Sequence, residues 1–286
     1  STSFGTVFTL TVNPNGSWSF DLQDQLDHVD GSGDAGTLLR TSAPGVLPVT
    51  SVSSIDFSSV VVATDADGDK VNGLSSGSFT IEVENDVPVQ IDGEGRPVVT
   101  AKVYEDSLSL ADGDRSEGNR EGQTSSQDEA SGEAGSLTAL FKAGADENLT
   151  FTVAPTTSGL PTLYSHGELV QYAVNGNVLT ATTSFGTVFT LTVNANGSWS
   201  FDLNDQLDHV DGNGDFGTQL RTSAPGSEQV TSVNAIDFSS VIIATDADGD
   251  SLNGLNSGSF TITVQNDVPV QIDGEERPTV TAKAYE

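Results

Sequence analysis

The stretch Thr6-Val7-Phe8-Thr9-Leu10-Thr11-Val12, followed by Asn15-Gly16 and then Ser17-Trp18-Ser19-Phe20-Asp21-Leu22, reads as the two arms and the turn of a β-hairpin. Successive side chains of a strand point to opposite faces, so Trp18, Phe20 and Leu22 share one face and Ser19 and Asp21 the other. An Asn-Gly step between two alternating arms is the strongest short-range hairpin signal a sequence offers. Thr187–Val193, Asn196-Gly197 and the trio Trp199, Phe201, Leu203 repeat the pattern. Working outward, strands are expected over 54–63, 78–83 and 98–104, with copies 181 residues further on. Between the copies they are expected over 137–141, 149–154, 169–174 and 178–183. No stretch of ten or more residues carries the helical period. Short strands with frequent turn signals predict an all-β chain of sandwiches rather than sheets covered by helices.

The hairpin occurs twice because the chain repeats itself. Thr2–Glu105 aligns without a gap on Thr183–Glu286 at a constant offset of 181, and 20 of the 104 aligned positions differ. Asp106–Thr182 occurs once. With the repeated segment written X and the single one Y, the 286 residues read X–Y–X. Such self-similarity predicts an array of units. The expected division is a β-sandwich over 1–105, a smaller β domain or inserted half-domain over 106–182, and a second sandwich over 183–286. The alternative cuts at Val87-Pro88 and Val268-Pro269, giving one large unit over 89–268 preceded by a partial unit over 1–88. Leu26–Gly36, repeated at Leu207–Gly217, reads as an acidic loop. Ala111–Gly135 has no large apolar residue and is expected to be mobile or ordered by a cation.

The balance of 41 Asp and Glu against 10 Lys and Arg leaves a net charge of −31. Such a surface repels phosphate backbones and anionic lipid, so neither nucleic acid nor a membrane surface is an expected partner. No apolar run approaches the ~20 residues of a membrane span, and the first residues lack a signal-peptide pattern. The absence of Cys removes disulfides, thiol nucleophiles and thiolate metal sites. The absence of Met makes an excerpt of a longer chain the expectation.

Thr64-Asp65-Ala66-Asp67-Gly68-Asp69 carries the clearest chemistry, and Thr245-Asp246-Ala247-Asp248-Gly249-Asp250 repeats it. Three carboxylates at alternate positions repel one another when gathered, and a divalent cation turns that repulsion into binding. Oxygen ligands alone select calcium or magnesium, and a flexible loop favours calcium, which accepts six to eight oxygens. A solvated Asp/Gly turn is the plain alternative. The motif is not an EF-hand, because Gly68 falls one place early and Ser76 stands where the bidentate Glu belongs.

A second element follows each copy. Glu84-Asn85-Asp86-Val87-Pro88 leads to Tyr104-Glu105-Asp106, and Gln265-Asn266-Asp267-Val268-Pro269 leads to Tyr285-Glu286. This arrangement resembles the cadherin-like calcium linker, in which an Asn-Asp…Pro connector, an acidic pair at the edge of the next domain and a DxD loop share ions. That resemblance implies calcium ligands at Asp65, Asp67, Asp69, Asn85, Asp86, Glu105 and Asp106. The second copy supplies Asp246, Asp248, Asp250, Asn266, Asp267 and Glu286. An ordinary Asn-Asp turn before a Pro is the alternative.

A wider pattern comprises VYED (Val103–Asp106), GSLTALFKAGADENLTFTV (Gly135–Val153), VFTLTVNANGSWSFDL (Val188–Leu203), LDHVDG (Leu207–Gly212), IDFSSVIIATDADGDSLNG (Ile236–Gly254) and SGSFTITVQNDVPV (Ser257–Val270). It resembles the extender repeats of giant bacterial RTX adhesins exported by type I secretion, which are related to VCBS and cadherin-like modules. The resemblance implies tandem immunoglobulin/cadherin-like β-sandwich domains in an extended array, bound Ca2+, and an extracellular place on a bacterial surface. It further implies a monomeric spacer, in contact with neighbouring repeats of its own chain, that projects a distal ligand-binding domain for adhesion and biofilm formation. A carbohydrate- or protein-binding module of the same adhesin is the competing reading, since tandem sites give avidity. An enzyme is not expected. His28 and His209 sit in acidic loops and read as solvated, and His166 reads as a turn residue. The carboxylate pairs recur at strand ends rather than in one cleft.

Overall fold

The computed structural model describes the chain apart from residues 1, 4, 32, 44, 121, 213, 272–278, 285 and 286. Strands dominate, and among the described residues the helical elements are four three-residue 3-10 turns. The described residues contain no helix long and apolar enough to cross a membrane. The fold is all-β.

The first copy contributes β1 (Phe8–Val12) and β2 (Trp18–Leu22). After Pro88 come β3 (Val89–Gln90) and β4 (Val99–Tyr104). The middle of the chain supplies β5 (Glu129–Gly132), β6 (Phe141–Lys142), β7 (Thr150–Val153), β8 (Gln171–Asn175) and β9 (Val178–Thr183). The second copy adds β10 (Gly186–Val193), β11 (Trp199–Leu203), β12 (Ile236–Asp237), β13 (Ile242–Thr245), β14 (Ser251–Asn253) and β15 (Phe260–Gln265).

These strands disregard the boundary between Y and X. Five pair antiparallel in the order β5-β11-β10-β9-β8, so Y strands flank the X hairpin on both sides. β4 runs parallel to β15 from Val99↔Phe260 to Tyr104↔Gln265, and β12 closes the other edge of β15. β7 pairs with β13. One buried core runs from Val103 to Val264. Phe189 and Phe201 of the five-stranded sheet meet Phe238 at centroid distances of 6.1 and 6.0 Å, and Trp199 meets Phe260 at 4.9 Å. A cut at 182/183 would sever β9 at its last residue, one turn short of its hairpin partner β10. The division into 1–105, 106–182 and 183–286 therefore does not follow the packing, and residues 89–105 belong with the strands that come after them.

The consequence for the first copy is plain in its aromatic residues. Phe8, Phe20, Phe57, Phe79 and Trp18 form the same ring cluster as their counterparts, with Phe8–Phe20 at 5.2 Å in place of Phe189–Phe201 at 5.2 Å. Yet Trp18 is 53% exposed and Trp199 4%. Trp199 is covered by β5, where Gly132 leaves room for the indole: a Cβ there would lie 2.1 Å from Nε1. No segment of Y type covers Trp18 among the described residues.

Several sequence expectations change in detail. The run 54–63 breaks into Ile55–Asp56, a 3-10 turn over Ser58–Val60, and Val62–Thr64. Ser58 Oγ accepts the amide hydrogens of Ser78 and Phe79 and holds that break. The run 137–141 is mostly a 3-10 turn, Thr138–Leu140. The hairpin loop is three residues rather than two: Gly197 N donates to Asn194 O at 2.9 Å, and Gly197 takes φ +77°, the bulged turn that follows a type I bend. Ala111–Gly135 is more tied down than its composition suggests, since β5 lies within it and Arg115 N donates to Asn204 O at 2.7 Å.

Candidate metal centres

Among the described residues, four trios of carboxylates bring one oxygen each within 4.8 Å of one another. They are Asp65, Asp67, Asp69; Asp146, Asp246, Asp248; Asp106, Asp215, Asp267; and Asp114, Asp128, Asp202.

The first two trios contain the same hexapeptide in different surroundings. In the first copy all three side chains are exposed, and Asp65 Oδ1 accepts the amides of Gly68 and Asp69 at 3.0 and 2.8 Å. The hydrogen bond with Asp67 leads the interactions that hold the Asp65 carboxyl below its ordinary value. In the second copy the loop faces the first copy across the junction. Burial, reinforced by Asp248, pushes Asp246 up to about 7. Burial likewise pushes Asp146 up to about 6, with the charges of Asp248, Asp27 and Asp86 adding to it. Asp146 Oδ1 and Asp246 Oδ2 are buried without a hydrogen-bond partner. Such orphaned oxygens, in an all-oxygen set, fit a hard divalent cation.

The junction is built from both copies. Asp86 Oδ2 accepts Ala145 N at 2.8 Å, and its carboxylate packs against Gly144, where a Cβ would come within 2.7 Å. Asp248 Oδ2 accepts His28 N at 3.0 Å, Asp250 Oδ1 accepts Gly31 N at 2.7 Å, and Asn85 Nδ2 donates to Asp250 Oδ2. Immediately after Pro88, β3 pairs with β6 and Ile91 N donates to Leu140 O at 2.9 Å, so the linker is stitched into the following unit.

Glu105 and Asp106 lie elsewhere. β4 carries them along β15 to the pole where Asn266 and Asp267 end that strand. Glu105 Oε1 accepts Leu207 N at 2.7 Å, and Oε2 accepts Asp267 N at 3.3 Å. Burial pushes Glu105 up to about 8 and holds His209, 3.6 Å away, below its ordinary value. Asn266 Nδ2 donates to Gly214 O at 3.1 Å. The expected clamp of Asp86 with Glu105 and Asp106, supported by Asp65 and Asp67, is therefore corrected. Asp86 meets Gly144, Ala145 and Asp146, and its neighbour Asn85 meets Asp250, while Glu105 and Asp106 meet Asp267, the copy of Asp86. A six-residue strand spans roughly 20 Å, which separates the two poles. Glu286 lies outside the described residues.

The acidic loops also need correction. His28 is 2% exposed with Nε2 3.0 Å from Val83 O, so it is packed rather than solvated. His209 Nε2 lies 3.2 Å from Val264 O in the same way. His166 does occupy a turn, at φ +51°, with Nε2 2.9 Å from Asp205 Oδ1. Sequence reading overlooked Asp146, Asp215, Asp114, Asp128 and Asp202, which stand apart from any DxDGD string. For Asp146 the only signal was Gly144-Ala145-Asp146-Glu147, a turn between two strands. No protein-family model, curated protein or solved structure matches the chain.

Proposed function

We propose that the chain is a calcium-stiffened extender segment of a bacterial cell-surface adhesin, made of tandem immunoglobulin/cadherin-like β-sandwich units. In this reading it is extracellular, exported by type I secretion, and projects a distal ligand-binding domain for adhesion and biofilm formation. The observation that carries the reading is the junction. Asp27 and Asp86 of one repeat and Asp146, Asp246 and Asp248 of the next act electrostatically on one another, while backbone amides bond across the same gap. Two unit charges 4.8 Å apart repel by about 3.5 kcal/mol at an effective dielectric constant of ~20. That repulsion is internal to the trio Asp146, Asp246 and Asp248, and the charges of Asp27 and Asp86 from the other repeat add to it; a divalent cation supplies the missing charge and favours the acidic face that the first repeat docks on. Here Asp86 and the amides of His28 and Gly31 orient the two repeats, and Asp146, Asp246 and Asp248 supply the oxygens. The pole at Asp208, His209, Asp211, Asn266 and Asp267 copies Asp27, His28, Asp30, Asn85 and Asp86 and lines an open groove of about 790 Å³. It thus offers the next repeat the surface that the first copy already uses.

Calorimetric titration of the full chain tests this. Calcium should bind with dissociation constants of about 10⁻⁴ to 10⁻³ M, and magnesium more weakly, because these loops do not impose octahedral geometry. The Asp146→Asn chain should lose one class of calcium site. Unchanged stoichiometry in the variant, or no calcium heat in the parent, would reject the reading.

A further inference from the structure

Asp114, Asp128 and Asp202 come from three separate places: the acidic segment after β4, the residue before β5, and the middle of β11. Each puts a carboxylate oxygen within 4.8 Å of the other two. Asp128 is 3% exposed, and its Oδ1 is buried with no hydrogen-bond partner. Among the described residues, no ion pair with Lys, Arg or His involves any of the three. Asn204 Nδ2 donates to Asp202 Oδ2 at 2.9 Å, and Ser109 N to Asp114 Oδ2 at 2.7 Å, so neutral donors orient two of the carboxylates and leave the charge unbalanced.

We propose that these three residues form a divalent-cation site inside a single unit, which pins the acidic segment 109–127 onto the five-stranded sheet. The other attachments of the segment are polar: Arg115 N to Asn204 O, Arg115 Nε to Phe185 O, Ser116 Oγ to Asp205 Oδ1 at 2.6 Å, Gly118 N to Leu108 O at 2.9 Å, and Asn119 to Asp267 Oδ2 and Val268 O; none of them supplies charge to the three carboxylates. Oxygen ligands on a flexible segment suit calcium better than magnesium. Asp114 is the residue through which the ion acts on the segment, because the same carboxylate closes the turn at Ser109. This site lies away from the junction and does not depend on an array: it would order the segment in an isolated unit as well. A proton shared between Asp114 and Asp128 is the other way to balance the charge, and it separates from the cation by experiment.

Limited trypsin digestion of the full chain reads the segment at Arg115 and Arg120. Cleavage should be followed at pH 7.5 in chelator and in calcium, and normalised to an unrelated peptide because calcium also affects trypsin. When cleavage follows the open population, a site filled at about ten times its dissociation constant slows it about tenfold. That protection is expected in the parent and in the junction variant Asp146→Asn, and is expected to vanish in Asp128→Asn and in Asp202→Asn. The melting temperature adds a readout that a merely structural carboxylate would not give. Asp128→Asn should melt above the parent in chelator, where it relieves repulsion, and below it in calcium. Equal protection in parent and variants, slow cleavage of the parent in chelator, or an Asp128→Asn chain less stable in both media would overturn the proposal.

Discussion

Asp65 and Asp246 occupy the same place in the same hexapeptide, and their carboxyls shift in opposite directions. The exposed one is governed by local hydrogen bonds. The other, 5% exposed, is governed by loss of water and by the neighbouring Asp248. A residue's chemistry here is set by what the fold brings against it, which is why the motif was legible in the sequence and its partner Asp146 was not. The raised groups fix the direction of the pH response. Asp146, Asp246 and Glu105, at about 6, 7 and 8, retain protons in the fold at pH values where the unfolded chain has released them. Without metal, stability should therefore be greatest near pH 4 to 5 and fall as pH rises through those values. In the proposed reading calcium displaces the protons of Asp146 and Asp246, so it should restore stability at pH 7.5 and lose its effect on acidification. Scanning calorimetry in chelator and in calcium across this range checks the sign. A melting temperature that climbs with pH in chelator would show that these carboxylates are not held as described.

At the level of elements, the hairpin around Asn196-Gly197 was legible because its cause is local. Alternation fixes which face is buried, and a glycine with positive φ fixes the turn. The pairing of β4 with β15 was not legible, because 161 positions separate the paired residues and no local pattern specifies a parallel partner. Nor was the edge strand β5, whose Glu-Ala-Ser-Gly sequence has low strand propensity and pairs only because β11 offers its backbone and Gly132 admits Trp199. The arms of the two hairpins are identical in sequence, Pro14 against Ala195 in the turn being the one difference over 6–22, so the two tryptophans differ in their surroundings. Trp199→Ala should cost about 3–5 kcal/mol of unfolding free energy, as large buried aromatics do. Trp18→Ala should cost under about 1 kcal/mol, in the range of exposed positions. Urea unfolding of the two variants measures the difference, and equal losses would mean that the first copy is as well covered as the second.

For the whole molecule, the X–Y–X repeat was visible at once, whereas the packing joins the first unit's tail to the next unit's strands and buries Y with the X that follows it. Sequence reading found most residues of the junction but matched them across the wrong pair, since it had no means of knowing that β4 carries Glu105 to the far pole. What remains at the junction is a dense acidic contact in a chain of net charge −31. Long-range repulsion in such a chain is screened within about 8 Å at physiological salt, so orientation between repeats must come from short-range contacts. Small interfaces between units leave relative motion as the default unless something clamps them. Small-angle X-ray scattering of the full chain in millimolar calcium and in chelator tests that clamp most directly. With calcium the account predicts a longer maximum dimension and a narrower distance distribution, with the same strand signal in circular dichroism. Superimposable scattering curves in the two media would contradict it.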